Sequence, residues 1–516
     1  MRTVLWMLAT LCLLGCGGDD AGDKPASEAA DAAAAGCEAN PDQAGCPQQG
    51  ELITHQFPDY TLKKFQEVSP CVAWTLNNKQ ALYVRGVTLS NQGAFHHSNW
   101  FVVPDSMVQG KDGYFKCKDR KFDEVGSAIA GTVLYAQSTQ AHLETQRMPA
   151  GVVIKIPPNH RIVGSAHLLN LSSKGKVTTA RMSLELLHPR DVKTVVAPFR
   201  LGYWDLQIPA KKQSRHTGEC PMNTAYKNWL GRPLDMKLYY VLPHYHALGN
   251  YFRLEIMGGP DDGKAIVELS GFNAEANGVV FDPPIDLTGA DGLRVTCGYN
   301  NITDKKVGWG IGDQEMCEFL GLADTGVMMD GGVHKHNPAE TVTDGIVQYT
   351  SSCDAIAVPK NAKQSMPTEQ EIAGELYKPT TQSGDEGLKP TDACKDADPK
   401  AAAHQPATLK SVRETVFVPS CSYNACHGGS AAHGGLDLTA TNLREALVGK
   451  ASKGRPEMAL VTPGKPEESW LYHVLSRCKP QGAKAVAAHM PLNAPELLED
   501  ALVAKVRQWI ADGAKD

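Results

Sequence analysis

Between residues 55 and 353 the hydrophobic positions fall in short runs of β-branched and aromatic side chains, separated by Gly, Pro and Asn turns. Ala81-Leu82-Tyr83-Val84, the run from Gly151 to Ile156 and Leu238-Tyr239-Tyr240-Val241 are examples. Runs this short and frequent predict the strands of antiparallel sandwiches. About 300 residues is too long for one sandwich, so two are expected, divided near residues 195–199. Residues 359–406, rich in Pro, Lys, Asp, Thr and Ala, read as a linker. The period then changes. Leu498, Ala501, Leu502, Lys505, Val506 and Trp509 lie at helical spacing, which predicts a helical tail with a mostly apolar face. At the opposite end, Arg2 precedes an apolar run from Val4 to Leu14, and a small, polar stretch reaches to about Gly50 as a flexible tether.

The expected fold is mainly β. A signal at 1–15 and a tether at 16–54 precede two antiparallel, jelly-roll-like β-sandwiches at 55–197 and 198–355; a linker at 356–410 leads to a small α-helical domain at 411–516. Charge narrows the partners: 51 basic against 57 acidic residues, net −6, gives no broad cationic face for nucleic acid. Fourteen cysteines are too many for a reducing cytosol unless most bind metal. No stretch after the N-terminus reaches about 18 apolar residues, so no later membrane span is predicted. Leu13-Leu14-Gly15-Cys16 resembles a bacterial lipoprotein signal, which implies acylation of Cys16 and a lipid anchor to a membrane of the bacterial cell envelope. The outer membrane, facing periplasm or cell surface, is the expected place. An ordinary secretory signal is the alternative.

Two histidine pairs carry the candidate chemistry. In a strand, residues two apart share a face, so His244 and His246 of His244-Tyr245-His246 can meet one metal ion. Adjacent His96 and His97 would point to opposite faces, so a shared ion there requires a bend or strand end. Neither pair is specific alone: 17 histidines in 516 residues supply about 0.6 of any fixed-spacing pair by chance. A third pair, His334-Lys335-His336, lies in a Gly-rich, polar setting and reads as an exposed loop.

The order of elements says more. Cys71, His96-His97, Cys117, His167, Cys220, His244-Tyr245-His246, Cys297 and Gln314-Glu315-Met316-Cys317 follow one another. Over residues 55–355 this resembles the copper type II, ascorbate-dependent monooxygenases, the family of peptidylglycine α-hydroxylating monooxygenase and dopamine β-monooxygenase. The resemblance implies two copper ions. His96, His97 and His167 would hold the electron-storing one; His244, His246 and Met316 would hold the one where dioxygen and a small organic substrate meet. Imidazoles suit both copper oxidation states and a thioether favours Cu(I), which fits that division. His142 and His160 are alternatives to His167, and a core methionine is the plain reading of Met316. The resemblance also implies the disulfides Cys71–Cys117, Cys220–Cys353 and Cys297–Cys317. Three positions depart from the peptide-amidating enzymes. Leu242 replaces an arginine, and Glu318 and Leu320 stand where those enzymes have asparagine and tyrosine, so the clamp for a peptide carboxylate is missing. Glu318 would either pair a cationic amine or be an exposed carboxylate without a substrate role.

Near the C-terminus, Cys421-Ser422-Tyr423-Asn424-Ala425-Cys426-His427 ends like a c-type haem attachment site, though as C-x4-C-H rather than C-x2-C-H. With His489-Met490-Pro491 downstream, the segment resembles the c-type cytochrome modules of exported bacterial proteins. That implies haem c on Cys421 and Cys426, with His427 and Met490 as iron ligands. His433, His473 and His489 are rivals for Met490, and a haem-free domain with a Cys421–Cys426 disulfide is the alternative. Cys37–Cys46 and Cys394–Cys478 complete the expected pairs. The expected function is an exported dicopper monooxygenase that hydroxylates a C–H bond of a small organic substrate. Electrons would come from ascorbate or a periplasmic donor, directly or through the haem. A copper-binding, electron-transfer lipoprotein without oxygenase turnover is the alternative.

Overall fold

The computed structural model describes residues 50–64, 66–137, 143–170, 175–246, 248–270, 278–301, 303–310, 314–325, 327–334, 339–359, 365–379, 394–422, 427, 435–481, 489–491 and 496–516. The signal, most of the tether, the Cys37–Cys46 pair, His142, Cys426 and His433 lie outside them.

The first stretch of chain forms two six-stranded sheets, several of whose strands are buried on both faces. One runs in the order Glu51–Gln56, Ala180–Leu186, Leu82–Asn91, Val152–Ile156 and Thr194–Val195, with Leu143–Arg147 also paired to Leu82–Asn91. The other runs Gly113–Phe115, Cys71–Thr75, His160–Leu169, Phe95–Pro104 and Thr132–Gln137, with the short strand Glu67–Val68 paired to His160–Leu169. Leu89, Trp100, Ile162, Met182 and Leu184 fill the space between them. The first strand starts inside the stretch read as tether, at Glu51.

The chain crosses to a second sandwich after Val195. Its first sheet runs Val279–Asp286, Lys237–Tyr245, Cys317–Ala323, Ala197–Tyr203, Val327–Val333 and Asp354–Pro359. Its second runs Ala265–Ser270, Gly249–Met257, Gly292–Asn301, Lys212–Cys220, Ile346–Ser352 and Ala339–Thr343. Leu201, Phe252, Val295, Phe319 and Met329 are buried between them. The sheets are not wholly antiparallel as expected. Ala197–Tyr203 pairs parallel with Val327–Val333, Lys212–Cys220 with Ile346–Ser352, and Val152-Val153 with Thr194-Val195. Each parallel neighbour returns after a long excursion through other strands, which is the connection a parallel pair requires.

The stretch read as linker is partly built structure. Residues 365–378 strap onto the first sandwich: Thr368 and Glu371 form a capping box on the helix Glu369–Ala373, Lys155 Nζ donates to the Ser365 carbonyl at 3.1 Å, and the Tyr377 hydroxyl accepts from the Lys79 amide at 2.8 Å. The helical unit begins at Cys394 rather than 411, because Cys394–Cys478 ties that end down and Ala397 donates its amide to Ser476. Leu409 to Ser420 form one helical run with a wide π-turn at Arg413–Phe417, just before Pro419, and the helices Leu443–Leu447, Trp470–Ser476 and Asp500–Ala511 pack around Val412, Phe417, Leu475, Val506 and Trp509. Lys505 is buried on the face expected to be apolar and donates to Ser411 Oγ at 2.9 Å and Thr415 Oγ1 at 3.1 Å.

Among the described residues, four disulfides join Cys71–Cys117, Cys220–Cys353, Cys297–Cys317 and Cys394–Cys478. Such a set belongs to an extracellular or periplasmic protein. Among the described residues, no helix is long and apolar enough to cross a membrane.

Candidate metal centre

The outer face of the His160–Leu169 and Phe95–Pro104 strands meets the outer face of the Lys237–Tyr245 and Cys317–Ala323 strands. Strand register sets which residues lie opposite one another on each face. On the first, Phe101 lies opposite Val163, Asn99 opposite Ser165 and His97 opposite His167. On the second, Tyr240 lies opposite Leu322, Leu242 opposite Leu320 and His244 opposite Glu318. The first face thus grades from apolar to polar to histidine, and the second passes from two apolar pairs directly to His244 opposite Glu318. The apolar ends pack together: Leu320 joins Phe101, Val103 and Val163, while Tyr240, Leu242 and Leu322 join the first sandwich's core.

The bend required of His96-His97 is present. His97 pairs with His167, but the next partner of the opposite strand, Leu168, pairs with Phe95, so His96 is the extra residue of a β-bulge. Bulges re-aim side chains in this way. His167 Nδ1 lies 2.9 Å from His97 Nε2, with the two rings edge to face. Its Nε2 lies 2.7 Å from Glu67 Oε1. His97 is exposed and His167 half-buried. The side chain of His96 lies outside the described residues. His160 does not substitute for His167: it pairs with Pro104 at the far end of the same strand, and its Nδ1 is bonded to the Pro158 carbonyl.

At the second pair the strand ends at Tyr245, so His246 sits one residue beyond it, yet its ring centroid stays 5.2 Å from that of His244. A buried carboxylate fixes this turn. Glu315 Oε2 accepts the His246 amide at 2.8 Å and Oε1 accepts the Leu248 amide at 2.6 Å. His246 Nδ1–H donates to the Gln314 carbonyl at 2.8 Å, which leaves Nε2 for a ligand. Met316 follows directly, its carbonyl accepting the Tyr299 hydroxyl at 2.6 Å, and Cys317 is locked to Cys297. Burial lowers both histidines to about 4, so the rings are neutral near neutral pH. The His244 ring is reached by water but walled by protein. Burial also raises Glu315 to about 8, against three backbone amides that favour its ionised form.

Between the pairs lies a polar layer. Glu124, raised by burial, accepts from Asn99 Nδ2 at 3.2 Å. Glu318 is not an exposed carboxylate: it accepts Trp204 Nε1–H at 3.0 Å and sits 3.8 Å from Arg200, which is itself clamped to Asp330. His334 is exposed and lies just past the strand Val327–Val333, as expected of a loop residue, with its ring 4.5 Å from that of Trp204.

Two neutral imidazoles with a thioether, or two imidazoles facing each other, are donor sets that suit copper. Among the described residues, no three His, Cys, Asp or Glu side chains converge on one point. Each expected triad includes a member outside that count, the His96 ring or the Met316 sulfur. In the helical unit, His427 Nδ1 is hydrogen-bonded to the Leu436 carbonyl at 3.1 Å. Cys421, Leu436 and Met490 pack on the same core. His473 donates Nε2–H to the Glu467 carbonyl at 2.8 Å, so only its Nδ1 remains available, and His489 stays a rival of its neighbour Met490. Glu67, Glu315 and Trp204 were missed in the sequence. Only Glu315, beside Met316, stood next to a residue already singled out.

No family model matches the chain, and no curated protein matches it. Among solved structures, the major capsid protein P2 of bacteriophage PM2 is 8% identical, over 56% of this chain and 99% of that one, with a TM-score of 0.22. The cowpea mosaic virus top component is 7% identical, over 59% and 94%, also with a TM-score of 0.22. Likeness at this level carries no argument.

Proposed function

We propose that this chain is an exported dicopper monooxygenase that hydroxylates a C–H bond of a small organic substrate with dioxygen. One observation carries the reading: the His244 and His246 rings lie together at a strand end where Tyr245 pairs in register with Cys317, and His246 Nδ1 is tied to Gln314 so that Nε2 is left as a donor. His96, His97 and His167 would hold one copper, and His244, His246 and Met316 the other. Cys421, Cys426, His427 and Met490 would hold haem c. Copper would supply dioxygen reduction and single-electron storage there, and haem iron a relay from ascorbate or a periplasmic donor. Glu315, Tyr299 and the Cys297–Cys317 bond hold the His246 turn and the Met316 backbone in place. Leu242 and Leu320 are packed against the first sandwich and Glu318 is already paired, which leaves no clamp for a peptide carboxylate. Glycine-extended peptides should therefore be poor substrates. Cys16 would anchor the protein by lipid to the cell envelope, at the outer membrane.

Metal analysis and copper X-ray absorption of the reconstituted protein test this. Two coppers per chain are expected, with a sulfur scatterer in the reduced protein that Met316→Ala removes. Fewer than two coppers, or no sulfur beside either, overturns the reading. The self-paired state of Glu318 and Arg200 favours a second reading, a copper and haem electron-transfer lipoprotein. Under that reading Met316→Ala leaves haem oxidation and reduction unchanged and no substrate is hydroxylated by the parent protein.

A further inference from the structure

We propose that Glu124 supplies a proton to the space between the two histidine pairs, through water rather than by touching either pair. The proposal rests on the copper reading above, because dioxygen reduction is what consumes protons there. Without substrate, two electrons and two protons turn dioxygen into hydrogen peroxide. With substrate, the same two electrons and two protons leave one oxygen atom in the C–H bond and the other in water. Glu124 opens the helix Glu124–Ala130, whose start is fixed by Asp123 accepting the Gly126 amide. Its Oε2 accepts Asn99 Nδ2–H at 3.2 Å, and the Ser165 hydroxyl bonds the same carboxyl. Asn99 and Ser165 lie opposite each other, two residues along their strands from His97 and His167. The carboxyl is thus bonded to the row next to the first pair, about 7 Å along the strands and on the same face. Across the boundary between the sandwiches it is coupled by charge to Glu318, the cross-strand neighbour of His244, and to Arg200. Glu318 is committed, since it accepts Trp204 Nε1–H and sits 3.8 Å from Arg200. Glu124 is not: burial, and then the like charges of Glu318 and Asp123, favour its protonated form against the bonds from Asn99 and Ser165. The charged and titratable groups facing it are Asp123 beside it, Glu318 and Arg200 across the boundary with Asp330 behind Arg200, and His97 and His167 one row away; Tyr135 of the strand Thr132–Gln137 turns into the core. Glu124 is half-buried, so solvent restores the proton it gives up.

Infrared titration of the metal-free protein reads the proton without copper. The difference between wild type and Glu124→Gln is expected to show a protonated carboxyl that persists above pH 4.5, the ordinary value for glutamate. Glu315→Gln removes a separate band. The copper-loaded protein is then reduced anaerobically with ascorbate and mixed with dioxygen alone. Glu124→Gln is expected to slow reoxidation about 100-fold, and Glu124→Asp, which keeps a carboxyl, to recover most of the rate. The wild-type rate should fall as rising pH strips the proton from Glu124, and the Glu124→Gln rate should not follow that fall. Copper content and unfolding temperature should match wild type, because the amide keeps the size of the carboxyl and the Asp123 cap is untouched. Reoxidation of Glu124→Gln at the wild-type rate and with the wild-type pH profile overturns the inference while the copper reading stands, as does a Glu124 carboxyl that ionises at 4.5. Wild-type protein that binds no copper, or whose reduced form does not react with dioxygen, removes both.

Discussion

His97 and His167 come from two strands joined by backbone register, with a bulge to aim one and a half-exposed carboxylate to orient the other. His244 and His246 come from one strand end, and everything around them is fixed from inside: a buried carboxylate on the turn, a carbonyl on the ring and a disulfide after the methionine. The first pair can adjust by small movements of side chains near water. In the second, His246 cannot move without breaking its bonds to Glu315 and Gln314. A site that only stores an electron tolerates adjustment, whereas one that must hold a soft sulfur donor and admit a second reactant gains from rigidity.

That contrast can be broken by substitution. Glu315→Ala leaves two buried amides without a partner and should cost about 3 kcal/mol in urea unfolding, with loss of second-site copper. The double change of Cys297 and Cys317 to serine opens a loop spanning 20 residues and should cost about 3 kcal/mol or slightly less. If either variant instead weakens the first pair, the two sites are not independently built.

Acid and alkali should act on the metal-free protein with opposite signs. His55, His244 and His246 are all held at about 4 by burial. Between 6.5 and 4 the unfolded chain takes up protons that the folded one refuses, so stability falls as pH drops through that window. His55, stacked on Trp74, accounts for roughly 2 kcal/mol of this. Glu315, raised to about 8, has the reverse effect: the folded chain keeps a proton that the unfolded one loses, so stability falls as pH rises from 4.5 to 8. Thermal unfolding across pH should peak near 6.5, and Glu315→Gln should flatten the alkaline side and steepen the acid side between 4.5 and 6.5. The smallest effect is expected at the strap, where Thr368→Ala removes a capping box and should cost about 1 kcal/mol without touching either histidine pair.

What the sequence disclosed follows from the range over which each feature is encoded. Alternation is local, so Leu242 was correctly set on the face of His244, and the run from Gly151 to Ile156 became the strand Val152–Ile156. Three disulfides came with the resemblance and form as it implied. Register between distant strands leaves no local trace, so the partnership of Glu67 with His167 and the parallel return of Val327–Val333 were not legible. The strap was legible but passed over: Thr368 followed by Glu371 is a helix-start signature inside a stretch whose composition read as linker. Lys505 shows the limit of periodicity, which placed it on the inner face but could not supply the two hydroxyls that accept it.

The packing of Leu320 on Phe101 and Val163 makes the two facing sheets a pair of callipers. Four residues of strand separate Phe101 from His97, a lever of about 14 Å. A rotation of ten degrees at the pinned end would then sweep the tips by roughly 2.4 Å, enough to decide which molecules bridge the gap. Volume added at the pivot, as in Leu320→Phe, should change that spacing without altering a single donor atom, and dipolar coupling between paramagnetic centres at the tips would measure it.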